Sequence, residues 1–150
     1  VDKIALMTKA IEYAKISAAE GEVPVGAVIA RSGEIISYGR NRRESKKNAL
    51  WHAEIEAIHK AAEVLGGWRL IGCDMYVTLE PCPMCAGAII NSRINKVIFG
   101  AYDKKAGSLV SVTELFELPY NHTPKFEGGF MEGECAAILS DFFKKLRNNI

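Results

Sequence analysis

Apolar residues recur at helical spacing near the start of the chain. Ile4, Met7, Ile11, Ala14 and Ala18 fall on one face of a 3.6-residue period, Asp2 stands where an N-cap belongs, and Gly21 stops the pattern. This predicts a helix running to about Glu20. The period then changes. Residues 23–30 form an apolar, β-branched run, Ser32-Gly33 is a turn signal, and residues 35–39 read as the returning strand of a hairpin. Residues 40–50 are polar and basic and read as a loop. Helical spacing resumes over residues 52–65, with Ile55, Ile58, Ala62 and Leu65 inward and Gly66-Gly67 closing the helix.

Residues 74–79 form a short strand that stops before Pro81, and residues 82–91 form a helix rich in Ala, Gly and Ile. Residues 96–101 are another strand. A loop covers 103–110, a short helix fits 113–118, and Gly128-Gly129 marks a turn. Residues 132–147 read as an amphipathic helix carrying Cys135, Ile138, Leu139, Phe142, Phe143 and Leu146. No repeat, low-complexity tract or linker interrupts the pattern, so residues 1–150 read as one domain. Strands alternating with helices predict an α/β sandwich.

Composition narrows the class. At 150 residues, 49% hydrophobic and 25% charged, the chain can bury roughly 70% of its unfolded surface and build a core without disulfides. No run of eighteen apolar residues predicts a membrane helix, and no basic-then-apolar start predicts an export signal, so the expected compartment is the cytoplasm. In that setting the four cysteines are not a disulfide framework, and Cys73 and Cys135, alone in apolar stretches, are expected as buried, inert thiols. A net charge of +1 neither requires nor excludes nucleic acid. A nucleic-acid site here has to rest on local clusters such as Arg40, Arg42, Arg43, Lys46 and Lys47, which fit a solvated loop and a phosphate contact equally well.

The chemistry lies in two short motifs. His52-Ala53-Glu54 is followed, thirty residues on, by Pro81-Cys82-Pro83-Met84-Cys85. Together they supply one imidazole and two thiolates. Structural zinc sites close with four protein ligands, whereas catalytic ones use three and leave the fourth position to water. Both motifs fall at predicted helix N-termini. Three residues apart on a helix, Cys82 and Cys85 face the same way, and the electropositive helix end favours their thiolates. One Zn2+ per chain is expected, lowering the pKa of its water from about 15.7 toward about 7. Glu54 is the candidate acid/base. It would take a proton from the zinc-bound water, deliver it to the ring nitrogen beside the attacked carbon, and protonate the departing amine, a contribution of roughly 10²–10⁴-fold. The combination implies hydrolytic deamination of a nucleobase.

Blander readings exist for each part. A Cys-x-x-Cys pair also serves redox proteins and half of a structural zinc site; the first lacks a thioredoxin-like context here and the second lacks another close pair. Glu56 is expected in solvent. His59, two turns beyond His52, is expected to pack or face solvent.

At these residues the chain resembles the cytidine deaminase superfamily and, within it, the bacterial tRNA-specific adenosine deaminases. The likeness runs over nearly the whole chain: Gly21-Glu22-Val23-Pro24-Val25-Gly26-Ala27, Asn41, His52-Ala53-Glu54, Trp68-Arg69-Leu70, and Tyr76-Val77-Thr78-Leu79-Glu80-Pro81-Cys82-Pro83-Met84-Cys85-Ala86-Gly87. It continues through Asp103-Lys104-Lys105-Ala106-Gly107, Asn121-His122, Glu134-Cys135, Phe142-Phe143 and Arg147. The zinc motif marks the superfamily; Trp-Arg-Leu, Asn-His and Phe-Phe point to the tRNA enzymes.

The resemblance implies a three-layer α/β/α sandwich with a five-stranded mixed sheet flanked by helices, a homodimer, and conversion of adenosine to inosine at the wobble position of an arginine tRNA anticodon. By matching position it implies that Asn41 hydrogen-bonds the target base, the Ala53 backbone reads its edge, and the His52 ring lies against its face. Pro24 and Val25 would line the pocket, and Glu80 and Pro81 would flank the metal segment. Asp103, Lys105, Phe142, Phe143 and Arg147 would contact neighbouring anticodon nucleotides. Adjacent helical residues point about 100° apart, so one of Phe142 and Phe143 is expected in the core and the other free to stack on RNA.

Two stretches depart from the family's pattern. Asn48-Ala49-Leu50-Trp51 precedes the metal histidine where Asp-Pro-Thr-Ala is common, and Ser108-Leu109-Val110-Ser111 is less glycine-rich than usual. Trp51 is expected to narrow the pocket mouth, stack on a neighbouring base, or bury at a dimer contact. The zinc chemistry itself equally serves a deaminase of a free base or nucleoside such as guanine or cytosine, because guanine deaminases also carry Glu-Pro-Cys-Pro-Met-Cys. A non-catalytic, zinc-stabilised RNA-binding module is a third reading, and the intact Glu54 stands against it.

Overall fold

The computed structural model describes residues 1–149. Helix α1 (Lys3–Ala19) leads into a hairpin of β1 (Gly26–Arg31) and β2 (Glu34–Arg40). Then come α2 (Ala53–Leu65), β3 (Cys73–Leu79), α3 (Pro83–Asn91), β4 (Lys96–Ala101), a 3-10 turn (Leu115–Glu117), β5 (Lys125–Glu127) and α4 (Glu132–Asn148). The strands form one sheet in the order β2-β1-β3-β4-β5. β1 runs antiparallel to both neighbours, while β3, β4 and β5 run parallel, so the sheet is mixed.

The hairpin turns on Ser32 and Gly33, both at positive φ, the backbone that matches the strand twist. Asp2 caps α1 by accepting the Ala5 amide, and Gly66 ends α2 in the left-handed conformation. α1 and α4 cover one face of the sheet, packing Met7, Ala10 and Cys135 on Val28, Tyr76 and Ile98. α2 and α3 cover the other, packing Ala57, Ala61 and Ile89 on Ile29, Met75, Val77 and Phe99. This is the expected three-layer sandwich.

The helix faces differ in detail from the periodicity. In α1 the buried stripe is Leu6, Met7, Ala10, Ile11, Ala14 and Ser17; Ile4 is exposed because one turn back from Met7 the stripe reaches Lys3. In α2 the inward face is Ala53, Ala57 and Ala61, and Ile55, Ile58, Ala62 and Leu65 sit half-buried at its rim. The cause is close approach. A Cβ on Gly39 of β2 would lie 2.2 Å from the Ala53 carbonyl oxygen and 2.7 Å from the Ala57 nitrogen. A Cβ on Gly26 of β1 would lie 2.0 Å from the Ala10 oxygen on the opposite face. Both helices rest directly on glycine, and only alanines fit beneath them. β5, at three residues, is too short to show alternation in the sequence. No helix among the described residues is long and apolar enough to cross a membrane.

Candidate functional site

The end of β2, the start of α2 and the β3–α3 junction converge on one spot. His52 is the N-cap of α2 and Cys82 the N-cap of α3, both in extended conformation; Pro83 opens α3 and Cys85 lies in its first turn. Two helix N-termini therefore point at the same place, as the motif spacing predicts.

His52 Nδ1 is 3.6 Å from Cys82 Sγ and 3.6 Å from Cys85 Sγ. All three ligand atoms lie within 4.8 Å of one another, and among the described residues they form the one such cluster. Tetrahedral zinc with ordinary Zn–N and Zn–S bonds spaces a nitrogen and a sulfur about 3.6 Å apart. The nitrogen and the two sulfurs already sit at that spacing, and a borderline-soft donor set of this kind suits zinc. The residues form a three-ligand zinc site.

Hydrogen bonds from Cys85 and His52 pull the Cys82 thiol down to about 4, and the bond to Cys82 raises His52 in turn. Cys85, donating to Cys82 and buried, is held far above its ordinary value. Glu54 is buried, and burial pushes its carboxyl up to about 7.

A cavity of about 200 Å³ opens on this cluster. Its lining includes His52, Ala53, Glu54 and Cys82, together with Val25, Asn41, Glu80 and Asp103. It is smaller than the usual pocket of about 300–1,000 Å³, a size suited to a single flat base. Val23, Arg43, Leu79 and Ala106 also line it, and the motifs alone did not single these out as pocket residues. Arg43 carried a signal, as a member of the basic cluster. Pro24, Pro81 and Lys105 adjoin lining residues in the chain but do not line the cavity themselves. Phe142, Phe143 and Arg147 lie outside it. Contrary to expectation neither ring is in the core: Phe142 is half-buried in a separate groove with Lys15, Ala18 and Ala19 of α1, Phe143 is 40% exposed, and the two rings meet edge-on at 5.4 Å, so Phe143 is the more exposed of the pair.

Two loops wall the cavity, and buried groups hold both. Asn41 donates from Nδ2 to the Val23 carbonyl at 3.0 Å and accepts the Arg43 amide at 3.1 Å. Its own amide donates to Val25 and its carbonyl accepts from Ser17 Oγ at 2.8 Å. One side-chain N–H and one carbonyl lone pair remain for a ligand. Across the cavity, the Glu80 carboxylate accepts the amides of Asp103 (3.0 Å), Leu109 (3.2 Å), Val110 (2.8 Å) and Ser111 (2.9 Å), and the Ser111 hydroxyl. These bonds hold it below the ordinary carboxylate range. Glu80 thus walls the cavity by fixing the 103–111 loop.

The basic cluster is mostly spoken for. Arg40 pairs with Glu20, Arg42 with Glu56 and Arg43 with Glu44. Contrary to expectation, Glu56 is not in solvent: it is 2% exposed, with its carboxylate on Arg42 and Trp51. Trp51 does not line the cavity; its indole donates to Glu56 and its ring meets His59 edge-on. His59 is at the surface beside Glu63. Cys73 and Cys135 are buried, and burial raises both thiols, Cys135 to about 11.

The family model for MafB19-like deaminases matches residues 1–147. A tRNA-specific adenosine deaminase of Aquifex aeolicus (strain VF5) is 51% identical over 142 residues, covering 94% of this chain and 93% of that protein. That of Bacillus subtilis (strain 168) is 47% identical over 142 residues, covering 94% and 88%. Among solved structures, one from work on A-to-I editing by tRNA:A34 deaminases at the wobble position of transfer RNA superposes with a TM-score of 0.89 at 40% identity, covering 91% of this chain and 100% of that one. Identity at this level, sustained over nearly the full length on both sides and carried on the same fold, makes the chain a member of the tRNA-specific adenosine deaminase family within the MafB19-like deaminases.

Proposed function

We propose that this protein hydrolyses adenosine to inosine and ammonia at the wobble position of a tRNA anticodon, arginine tRNA being the expected substrate. The observation that carries the reading is a three-ligand zinc site beside a buried glutamate that lines a single-base cavity. The kinship with enzymes named for tRNA adenosine directs it to RNA.

When bound, zinc supplies an activated water as nucleophile. Glu54 moves the protons: it accepts one from the attacking water and passes it to the ring nitrogen beside the attacked carbon, then takes the second from the oxygen newly bonded to that carbon and delivers it to the amine as ammonia leaves. Asn41 offers its spare N–H and lone pair to the base edge. Ala53 is the first residue of α2, so its amide has no partner within the helix and is free to donate to the base. Val25, with Pro24 beside it, forms an apolar wall, and the His52 ring supports the face of the base. The adenosine must leave its stack to enter, which costs less in an anticodon loop than in a duplex. Asp103, Lys105, Phe143 and Arg147 meet the flanking nucleotides, with the exposed Phe143 as the stacking ring.

The protein acts as a homodimer in the cytoplasm, where tRNA is found. Supporting the dimer, an apolar groove between α2 and α3, lined by Ile58, Ala62, Trp68 and Ala88, leaves Trp68 and the nearby Ile71 more than half exposed.

A substrate panel tests the reading. Zinc-loaded protein is offered an arginine anticodon stem-loop and, separately, free guanine, cytosine, cytidine and adenosine. Inosine in the stem-loop with the free compounds untouched is expected. Turnover of a free base with an untouched stem-loop would reassign Asn41 and the cavity to a small-molecule deaminase.

A further inference from the structure

We infer that Trp51, Arg42 and Glu56 form a clamp that holds the 41–51 loop in the shape that receives the base, making Trp51 and Glu56 positioning residues for the reaction. The inference rests on the proposed RNA deaminase reading, in which Asn41 and Arg43 wall the base cavity.

Glu56 is buried, yet it does not line the cavity. Its Oε2 accepts the Trp51 Nε1–H at 2.8 Å and meets Arg42 Nη2 at 2.9 Å. Its Oε1 accepts the Arg40 amide at 3.4 Å and lies 3.6 Å from Lys60 Nζ. The Arg42 amide donates to the Trp51 carbonyl at 3.1 Å. The two ends of the loop are therefore tied twice across its base, once through the main chain and once through a carboxylate. A second buried carboxylate, Glu22, pins the far side by accepting the amides of Glu44 at 3.0 Å and Ser45 at 2.7 Å.

The placement links this clamp to function. Asn41 and Arg43, both cavity walls, flank Arg42 on either side, and Trp51 immediately precedes the ligand His52. A buried carboxylate is tolerable only while its partners stay in place. Opening the loop would strip Glu56 of Trp51 and Arg42 together and leave this buried carboxylate of α2 with only Lys60 and the Arg40 amide. The closed loop is thereby favoured before any RNA arrives, so less ordering is left for the binding step.

Because the metal also anchors His52, loosening the clamp acts on the loop and hence on substrate binding. Trp51→Phe keeps an aromatic ring and removes only the N–H donor. In zinc-loaded, full-length protein without RNA, amides of residues 43–50 should then exchange with solvent about tenfold faster. The KM for an arginine anticodon stem-loop should rise about tenfold with kcat changed less than about twofold, since the competent loop is a smaller fraction of the population. Zinc content and melting temperature should stay near wild type. Glu56→Gln should shift KM the same way, and adding Trp51→Phe to it should change little further, because both act on one clamp. A purely structural role would lower the melting temperature and leave KM alone. Unchanged loop exchange in Trp51→Phe overturns the clamp whatever the substrate, as does faster exchange with an unchanged KM. A wild-type protein that leaves the stem-loop untouched overturns the substrate assignment, and loop exchange then still decides whether the clamp exists.

Discussion

Four glutamates of this protein are buried, and their partners give them different tasks. Glu22, Glu56 and Glu80 are surrounded by donors, and each carboxyl is held below its ordinary value by those bonds. Glu54 has no such shell, and burial drives it the other way. Three hold loops and the fourth lines the cavity, a division that suits it to proton transfer. The sequence made Glu54 legible because histidine, glutamate and the cysteine pair form one recognisable set. Glu56, two residues on, was not legible, because its partners Arg42 and Trp51 reach it only once the loop has folded back. Glu80 carries a test at this scale. Its folded pKa lies below the unfolded value of 4.5, so its contribution is complete above that pH and is lost as pH falls through the folded pKa. Glu80→Gln should cost about 2 kcal/mol at neutral pH, with several amides losing a charged acceptor. The gap to wild type should close as denaturation is repeated at progressively lower pH below 4.5. A gap that stays constant into acid would mean that the charge is not what holds the loop.

Elements place the site through contact distance. α2 brings His52 and Glu54 to the cavity because it lies directly on Gly39, with Ala53 and Ala57 against the strand. The boundaries of α1, α2, β3, α3, β4 and α4 were readable to within a residue or two, since caps, glycines and prolines punctuate them. Periodicity puts the larger apolar residues of α2 inward, whereas so close a helix admits only alanine. Side-chain size at a contact depends on the strand beneath, which a one-dimensional period does not report. β5 escaped notice for a related reason: its three residues are a strand only because β4 pairs with them. Gly39→Ala tests the contact. The new methyl must push α2 off the sheet, costing about 1–3 kcal/mol. It should also lower zinc occupancy by moving His52 away from the cysteines, read by elemental analysis after dialysis. Full stability with full zinc would show that the helix position tolerates the shift.

At the scale of the whole molecule, two helix N-termini supply the metal ligands and two loops, each held by buried carboxylates, wall a cavity of single-base size. The alternation of strands and helices indicates an α/β sandwich, and the resemblance supplied its three layers and the fifth strand. The proposed RNA-facing residues are less legible: with a net charge of +1 and three arginines of the basic cluster already paired, overall charge does not mark a face for RNA. In the proposed reaction this cavity deaminates adenosine in RNA with Glu54 as its proton carrier. Its most direct test is inosine formation in an arginine anticodon stem-loop by wild type and Glu54→Ala, with zinc measured on the same samples. Inosine is expected from wild type and, in the variant, full zinc with turnover reduced by roughly 10²–10⁴-fold or more. Undiminished turnover in zinc-loaded Glu54→Ala would contradict it.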